Sequence, residues 1–198
     1  MGMFQYKICT EDNCTHPVFF NTEKCFQHLE NKELCMSELL QYFNEQKIIS
    51  KLDLTGLILE NYDFSGKTFF LCNIAKATFN NVIFKNTKMD LVFFDFSTFV
   101  NCNFQDSYMT NTVFAGSTIT NCDFSGSELN RNNFVGILVR DSKFSSSDLY
   151  SSRFINSNLI NVEFVDCNLK RVNFKRSSLQ GINFRSSNSE EAYFDGEI

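Results

Sequence analysis

The sequence predicts an all-β solenoid over residues 51–198, preceded by a small Cys/His-bearing and helical segment over residues 1–50. Three observations carry this. Large apolar residues recur every five positions, and small residues recur two positions ahead of them. The 198-residue chain also holds 24 Phe, no Trp and a single Pro, Pro17. So skewed a composition points to one local environment used many times over.

The period is unbroken. Stepping by five from Leu54 to Phe194, 28 of 29 positions are large and apolar, Ser189 being the exception. Sixteen of the 24 Phe lie in this column. Two residues earlier, 22 of 29 positions hold Ala, Cys, Ser, Thr or Val. Residues two apart on an extended chain point the same way, so both columns face inward. A period of five fits neither a 3.6-residue helix nor a hairpin meander. It fits a chain that turns a corner every five residues.

Cys122-Asp123-Phe124, Ser157-Asn158-Leu159 and Cys167-Asn168-Leu169 show the local pattern. It resembles the pentapeptide-repeat family, whose unit is a small residue, Asn or Asp, Leu or Phe, and two variable residues. The resemblance covers about three quarters of the chain. It implies a right-handed quadrilateral parallel β-helix with four pentapeptides to the coil. Residues twenty apart would then stack, giving about seven coils, each rising about 4.8 Å, and a rod about 35 Å long. Asp123, Lys143 and Glu163 would form an outward ladder of alternating charge, each neighbour contributing a few tenths of a kcal/mol.

Ahead of the repeat, Met36, Leu39, Leu40 and Phe43 follow helical spacing and predict a helix over 33–48. Its expected role is to cap the first open coil, the alternative being to bind a partner. Before it stand Cys9-x4-Cys14 and Cys25-x2-His28. Three thiolates and an imidazole can close a tetrahedral structural zinc shell. The arrangement resembles small zinc knuckles of the treble-clef sort, in which the final C-x2-H begins a helix. His16 and Cys35 are alternative ligands; buried free thiols and disulfides are alternative readings. Cys72, Cys102, Cys122 and Cys167 all fall in the small inward column, so packing accounts for them without a disulfide framework. The other four Cys and both His lie within the first 35 residues, a segregation that favours metal.

Catalysis has little to work with. Both His precede the rod, which excludes a Ser-His-Asp arrangement within it. The eight Gly are scattered and form no phosphate-cradling loop. Paired carboxylates such as Asp141 with Asp148, or Glu190 with Glu191, find no cleft in a filled solenoid. The expectation is a protein that is not an enzyme.

Charge narrows the partners. The net charge is −5, with 7 acidic and 4 basic residues in 1–50 and 16 against 14 in 51–198. The near-neutral repeat argues against direct nucleic-acid binding and lacks the strong negative field of a DNA mimic. No run of 18 apolar residues is present, so no membrane span is expected. Met1-Gly2-Met3-Phe4-Gln5-Tyr6 lacks the basic and apolar regions of a secretion signal, and a cytoplasmic location is expected.

Function then belongs on the outside. Leu71 stacks with Leu91, and Phe93 with Val113, beyond the next corner; Phe70 and Phe96 flank them. Together they form a candidate apolar strip for a partner protein. Lys170, Arg171, Lys175 and Arg176 make a short basic edge. The break at Ser189 leaves an end at which two rods could meet as a homodimer. The reading is a non-enzymatic protein-interaction scaffold. The alternative, implied by the resemblance, is a DNA mimic modulating DNA gyrase or another type II topoisomerase.

Overall fold

The computed structural model describes residues 7–196; the expectation made for the first six residues lies outside them. A 3-10 turn at Phe26–His28 leads to helix α1, Lys32–Glu45. Eleven strands follow: β1 (Ile48–Ser50), β2 (Ile58–Glu60), β3 (Thr68–Asn73), β4 (Thr78–Asn80), β5 (Lys88–Phe93), β6 (Thr98–Val100), β7 (Tyr108–Thr110), β8 (Thr118–Thr120), β9 (Leu138–Arg140), β10 (Asn158–Ile160) and β11 (Ser178–Gln180). A second 3-10 turn spans Ser189–Glu191.

Every strand pairing is parallel. One sheet runs β1-β3-β5-β7 and a second runs β2-β4-β6-β8-β9-β10-β11 along the rod. Partners are twenty residues apart, as in Leu59↔Phe79 and Ile119↔Val139. Isolated parallel bridges such as Asn103↔Asp123 and Arg153↔Asn173 continue the same register on the other two faces. The result is a four-sided parallel solenoid of about seven coils.

Corners come from the backbone. Every fifth residue from Lys51 to Ser186 has a positive φ, between 49° and 81°. Gly, Asn and Asp tolerate this left-handed conformation best, and most corners carry one of them. Three residues before ten of these corners, an Asn or Asp side chain accepts the N–H two residues on. Examples are Asp63 from Ser65 (2.7 Å) and Asn103 from Gln105 (2.9 Å). This is the physical reason for the Asn/Asp position in the repeat.

The two inward columns divide the work. The large column packs rings on rings: Phe84, Phe104, Phe124, Phe144 and Phe164 stack with centroid separations of 4.6, 4.4, 4.7 and 5.1 Å. The small column supplies hydrogen bonds. Ser97 Oγ donates to the Ile74 carbonyl (3.1 Å) and accepts the Ala77 N–H (3.0 Å), and Ser147 Oγ donates to the Phe124 carbonyl (2.8 Å). Buried backbone groups that the short strands leave open are satisfied this way. Cys167 does the same, its Sγ donating to the Phe144 carbonyl at 2.9 Å.

Helix α1 closes the first coil. Cys35, Leu39 and Phe43 are buried, and Phe43 meets the Phe64 ring edge-on at 5.0 Å. Asn31 caps it by accepting the Leu34 N–H (2.9 Å). The helix ends at Glu45 rather than the expected 48, because Ile48–Ser50 pairs with Thr68–Phe70. Ile49, fully buried, is therefore the first inward residue of the stack.

At the far end, Ser189 begins the second 3-10 turn, which absorbs a one-residue slip. Arg171 N–H reaches the Glu191 carbonyl, twenty residues on, whereas Ser151 N–H reaches Lys170, nineteen on. Phe194 then resumes the column, stacking on Phe174 at 5.1 Å. Among the described residues no helix is long and apolar enough to cross a membrane.

Candidate functional site

The Cys/His segment is built from a hairpin and a turn. Ile8 bridges Pro17 in antiparallel fashion, and Cys9 N–H bonds to the His16 carbonyl (2.9 Å). This places Cys9 on one arm, while the tight turn closed by Cys14 N–H to the Glu11 carbonyl (3.1 Å) brings in Cys14. Cys25 precedes the 3-10 turn and His28 ends it, with His28 N–H bonded to the Cys25 carbonyl at 2.9 Å. The expected helix start at C-x2-H is thus a 3-10 turn, and α1 begins four residues later. Asn31 is the residue free to cap a helix; Cys25 makes no side-chain cap.

One ligand atom from each of Cys9, Cys14, Cys25 and His28 lies within 4.8 Å of all the others, and the four could hold a metal ion. His28 Nδ1 is 3.5 Å from both Cys9 Sγ and Cys25 Sγ, and Cys14 Sγ is 3.9 Å from Cys25 Sγ. Cys9 and Cys25 are buried, Cys14 is partly covered, and His28 is exposed. His16 Nδ1 lies 3.5 Å from Cys14 Sγ, outside the group of four. Cys35 lies on the buried face of α1, packed into the core.

Electrostatics in the cluster favour one thiolate and oppose a second. Burial raises the Cys9 thiol, but the backbone N–H groups of Cys25 and Glu11 and the side chains of His28 and Cys14 outweigh it. Its pKa is pulled down to about 6. At Cys14 the His16 backbone N–H works downward, while burial and the neighbouring Cys9 and Cys25 sulfurs raise the thiol overall. Crowded thiols of this kind all ionise only beside a cation. Outside the cluster, Lys24 bridges Glu11 (2.7 Å) and Glu30 (2.8 Å), which holds its ammonium above the ordinary range.

The lobe is tied to the rod at few points. Phe19 is buried, its ring 4.8 Å from Phe26; Phe20 N–H bonds to the Asp53 carbonyl (3.2 Å). Phe20 also packs edge-on against Tyr42 of α1 at 5.5 Å.

On the rod, Leu71 and Leu91 stand one above the other at left-handed corners, with φ of 52° and 54°. Phe93 and Val113 are paired across a parallel bridge. All four are half-buried rather than fully exposed. Their flanks are more open: Phe70 is 39% exposed and Phe96 67%. Phe96 is itself a corner residue (φ 58°), and its ring covers Gly116, where a Cβ would come within 2.6 Å of it. Sequence reasoning ranked Phe96 only as a flank. Reading the corner column would have promoted it, since Phe is the bulkiest residue there.

The expected charge ladder is present in backbone register only. Asp123, Lys143 and Glu163 bridge in turn, but no ion pair joins them among the described residues. The Asp123 carboxylate is already engaged, accepting from Ser125 N–H (2.9 Å) and Gln105 Nε2 (2.7 Å). An unforeseen ladder runs along another edge. Asn81, Asn101 and Asn121 each donate to the Asn twenty residues before, at 3.1, 3.1 and 2.6 Å. Of the basic edge, Lys170 pairs with Glu191 (3.0 Å), and Arg171 donates to Tyr150 Oη (3.1 Å) while lying over its ring.

A model of pentapeptide repeats matches eight copies, over residues 97–134, 107–146 and 147–185. Residues 97–185 therefore carry pentapeptide repeats, on the same coil geometry as the rest of the rod. No curated protein matches the chain. Among solved structures it is similar to a pentapeptide repeat protein (Rfr23) from the cyanobacterium Cyanothece 51142, at 9% identity and TM-score 0.32, covering 81% of this chain and 99% of that one. It is similar to QnrB1, a plasmid-mediated fluoroquinolone resistance protein, at 15% identity and TM-score 0.38, covering 75% and 91%. It is also similar to HetL, involved in heterocyst differentiation regulation in the cyanobacterium Nostoc sp. strain PCC 7120, at 11% identity and TM-score 0.30, covering 86% and 100%.

Proposed function

We propose that this pentapeptide-repeat protein is a non-enzymatic interaction scaffold. Its rod presents Leu71, Leu91, Phe93 and Val113, with Phe70 and Phe96, to a partner protein. The observation that carries this reading is the corner column. Leu71, Leu91 and Phe96 occupy left-handed positions at φ 52–58°. A side chain there costs on the order of 1–2 kcal/mol relative to Gly. Phe96, being 67% exposed, recovers little of that cost by burial. Apolar residues held at strained surface positions are what a contact surface requires and what packing alone does not.

Zinc is the metal we assign to Cys9, Cys14, Cys25 and His28. Bonds of about 2.3 Å to sulfur and 2.0–2.1 Å to nitrogen in a tetrahedron give S···S edges of about 3.8 Å and S···N edges of about 3.6 Å. The separations of 3.9 and 3.5 Å match these. Four protein ligands leave no open position, so the metal's role is to cross-link the lobe. In this reading the protein works in the cytoplasm, where thiolates stay reduced.

The DNA-mimic alternative asks for a continuous acidic face. The rod instead mixes signs along its columns, as at Asp123, Lys143 and Glu163. An unchanged gyrase supercoiling rate at micromolar protein is the expected result.

The scaffold reading is tested by cross-linking and mass spectrometry of partners captured on the purified protein. Leu91→Asp combined with Phe96→Asp should leave the circular dichroism spectrum unchanged and abolish capture. A partner still captured by that variant would remove the strip from consideration.

A further inference from the structure

We infer that the cleft between the Cys/His lobe and the first coils binds a small anion carrying an apolar group. The cleft has a volume of about 320 Å³. That is the lower end of the range for small-molecule sites. Its lining brings together His16 and Lys32 from the lobe side and Lys76 from the rod, beside Cys25 of the Cys/His cluster, and no Asp or Glu lines it. On a chain of net charge −5, a recess lined by two lysines and no carboxylate stands apart from the overall charge. Neither lysine is ion-paired among the described residues. Lys32 Nζ instead lies over the Phe26 ring, 5.4 Å from its centroid, which holds the ammonium beside the opening.

The apolar half is equally particular. Phe26 forms one wall and Ile58 another. Ile58 is an outward residue of β2 and is 55% exposed. The following outward positions on the same sheet face are Thr78, Thr98, Thr118, Leu138, Asn158 and Ser178. Of the two that line the cleft, Ile58 and Thr78, the isoleucine supplies the apolar wall. Between the walls lies Gly56, a left-handed corner (φ 81°) whose missing Cβ would sit 3.9 Å from Phe26. Any larger residue there would narrow the recess. A carboxylate or phosphate would meet Lys32 and Lys76 while its apolar body lies between Phe26 and Ile58. The inference draws on the lobe's position against the rod and not on the identity of the metal.

The test uses the full-length, metal-loaded protein and its amide resonances. Benzoate and phenyl phosphate are the two anionic probes, and benzyl alcohol is the neutral control. Saturable shifts at Gly56, Ile58, Lys76 and Thr78 below about 10 mM are expected for at least one anion. Which anion binds more tightly names the headgroup. Lys32→Gln with Lys76→Gln should weaken binding about tenfold or more. Ile58→Ser should weaken the aromatic anions but not inorganic phosphate. Three outcomes would each overturn the inference: no saturable shift with either anion, equal binding of benzyl alcohol, or unchanged affinity in the double lysine variant. Unperturbed amides in β9 and β10 serve as the check that the variants remain folded.

Discussion

The lobe over residues 7–31 and the coils after Ile49 are stabilised by opposite strategies. In the coils each inward Phe repeats the environment of the one before it, and rings such as Phe124 and Phe144 lie 4.7 Å apart and nearly parallel (3°). The contribution is spread over many equivalent sites, with each coil supported by its neighbours. The lobe buries only Cys9, Phe19 and Cys25 among its described residues. So few buried groups cannot offset the entropy of ordering the segment. It depends on a few unlike devices: the Cys/His cluster, the Lys24 ion pairs and the Phe20 link to Asp53. Redundancy makes the rod tolerant of small surface changes, whereas the lobe should fail as a unit.

That contrast can be broken most severely in the middle of the rod. Phe124→Asp would bury an unpaired carboxylate between two stacked rings and should abolish soluble, folded protein. Phe124→Ala should cost about 3–5 kcal/mol in urea unfolding. A Phe124→Asp protein with a native circular dichroism spectrum would contradict the filled core.

Next in size is loss of the metal proposed for Cys9, Cys14, Cys25 and His28. Purified protein should carry about one zinc per chain by elemental analysis. Chelation, or Cys25→Ser, should expose residues 7–31 to protease and rapid hydrogen exchange, leaving the coils from β4 onward protected. Uniform loss of protection along the chain would show that lobe and rod are one cooperative unit.

A smaller effect is expected at Asn132, the one fully buried Asn of the small column. Its Nδ2 donates to the Met109 carbonyl (3.1 Å) and its Oδ1 accepts the Thr112 N–H (2.9 Å). Asn132→Ala should cost about 1–3 kcal/mol by urea denaturation, because both backbone groups lose their partner. The smallest change has the opposite sign. Leu91→Asn relieves a left-handed Leu and should stabilise the fold by about 0.5–1 kcal/mol while weakening partner capture. A loss of stability there would mean that Leu91 is held for packing.

Much of this was legible in advance because it is periodic. The large column marked the inward Phe, and the small column absorbed Cys72, Cys102, Cys122 and Cys167. The cluster of Cys9, Cys14, Cys25 and His28 was legible from short spacing, since a single turn can present both members of a pair. Less legible were features that depend on competition between neighbours. Asp123 turns to cap Ser125 rather than meet Lys143, because the local N–H is two residues away and always present. Helix α1 stops at Glu45 because β1 takes the following residues for the sheet.

The five-residue period by itself determined the rod, since only a chain turning a corner at each unit buries both columns at once. It equally determined which Phe lie inside. Only the tertiary structure decided where the lobe rests on the rod. That contact joins Phe20 to Asp53 and Phe26 to Gly56, residues about thirty apart with no shared period. It creates the cleft lined by Lys32, Lys76 and Ile58. The physical reason is that a repeat encodes contacts at a constant separation, whereas docking a lobe on its first coil is a single event that no periodicity records.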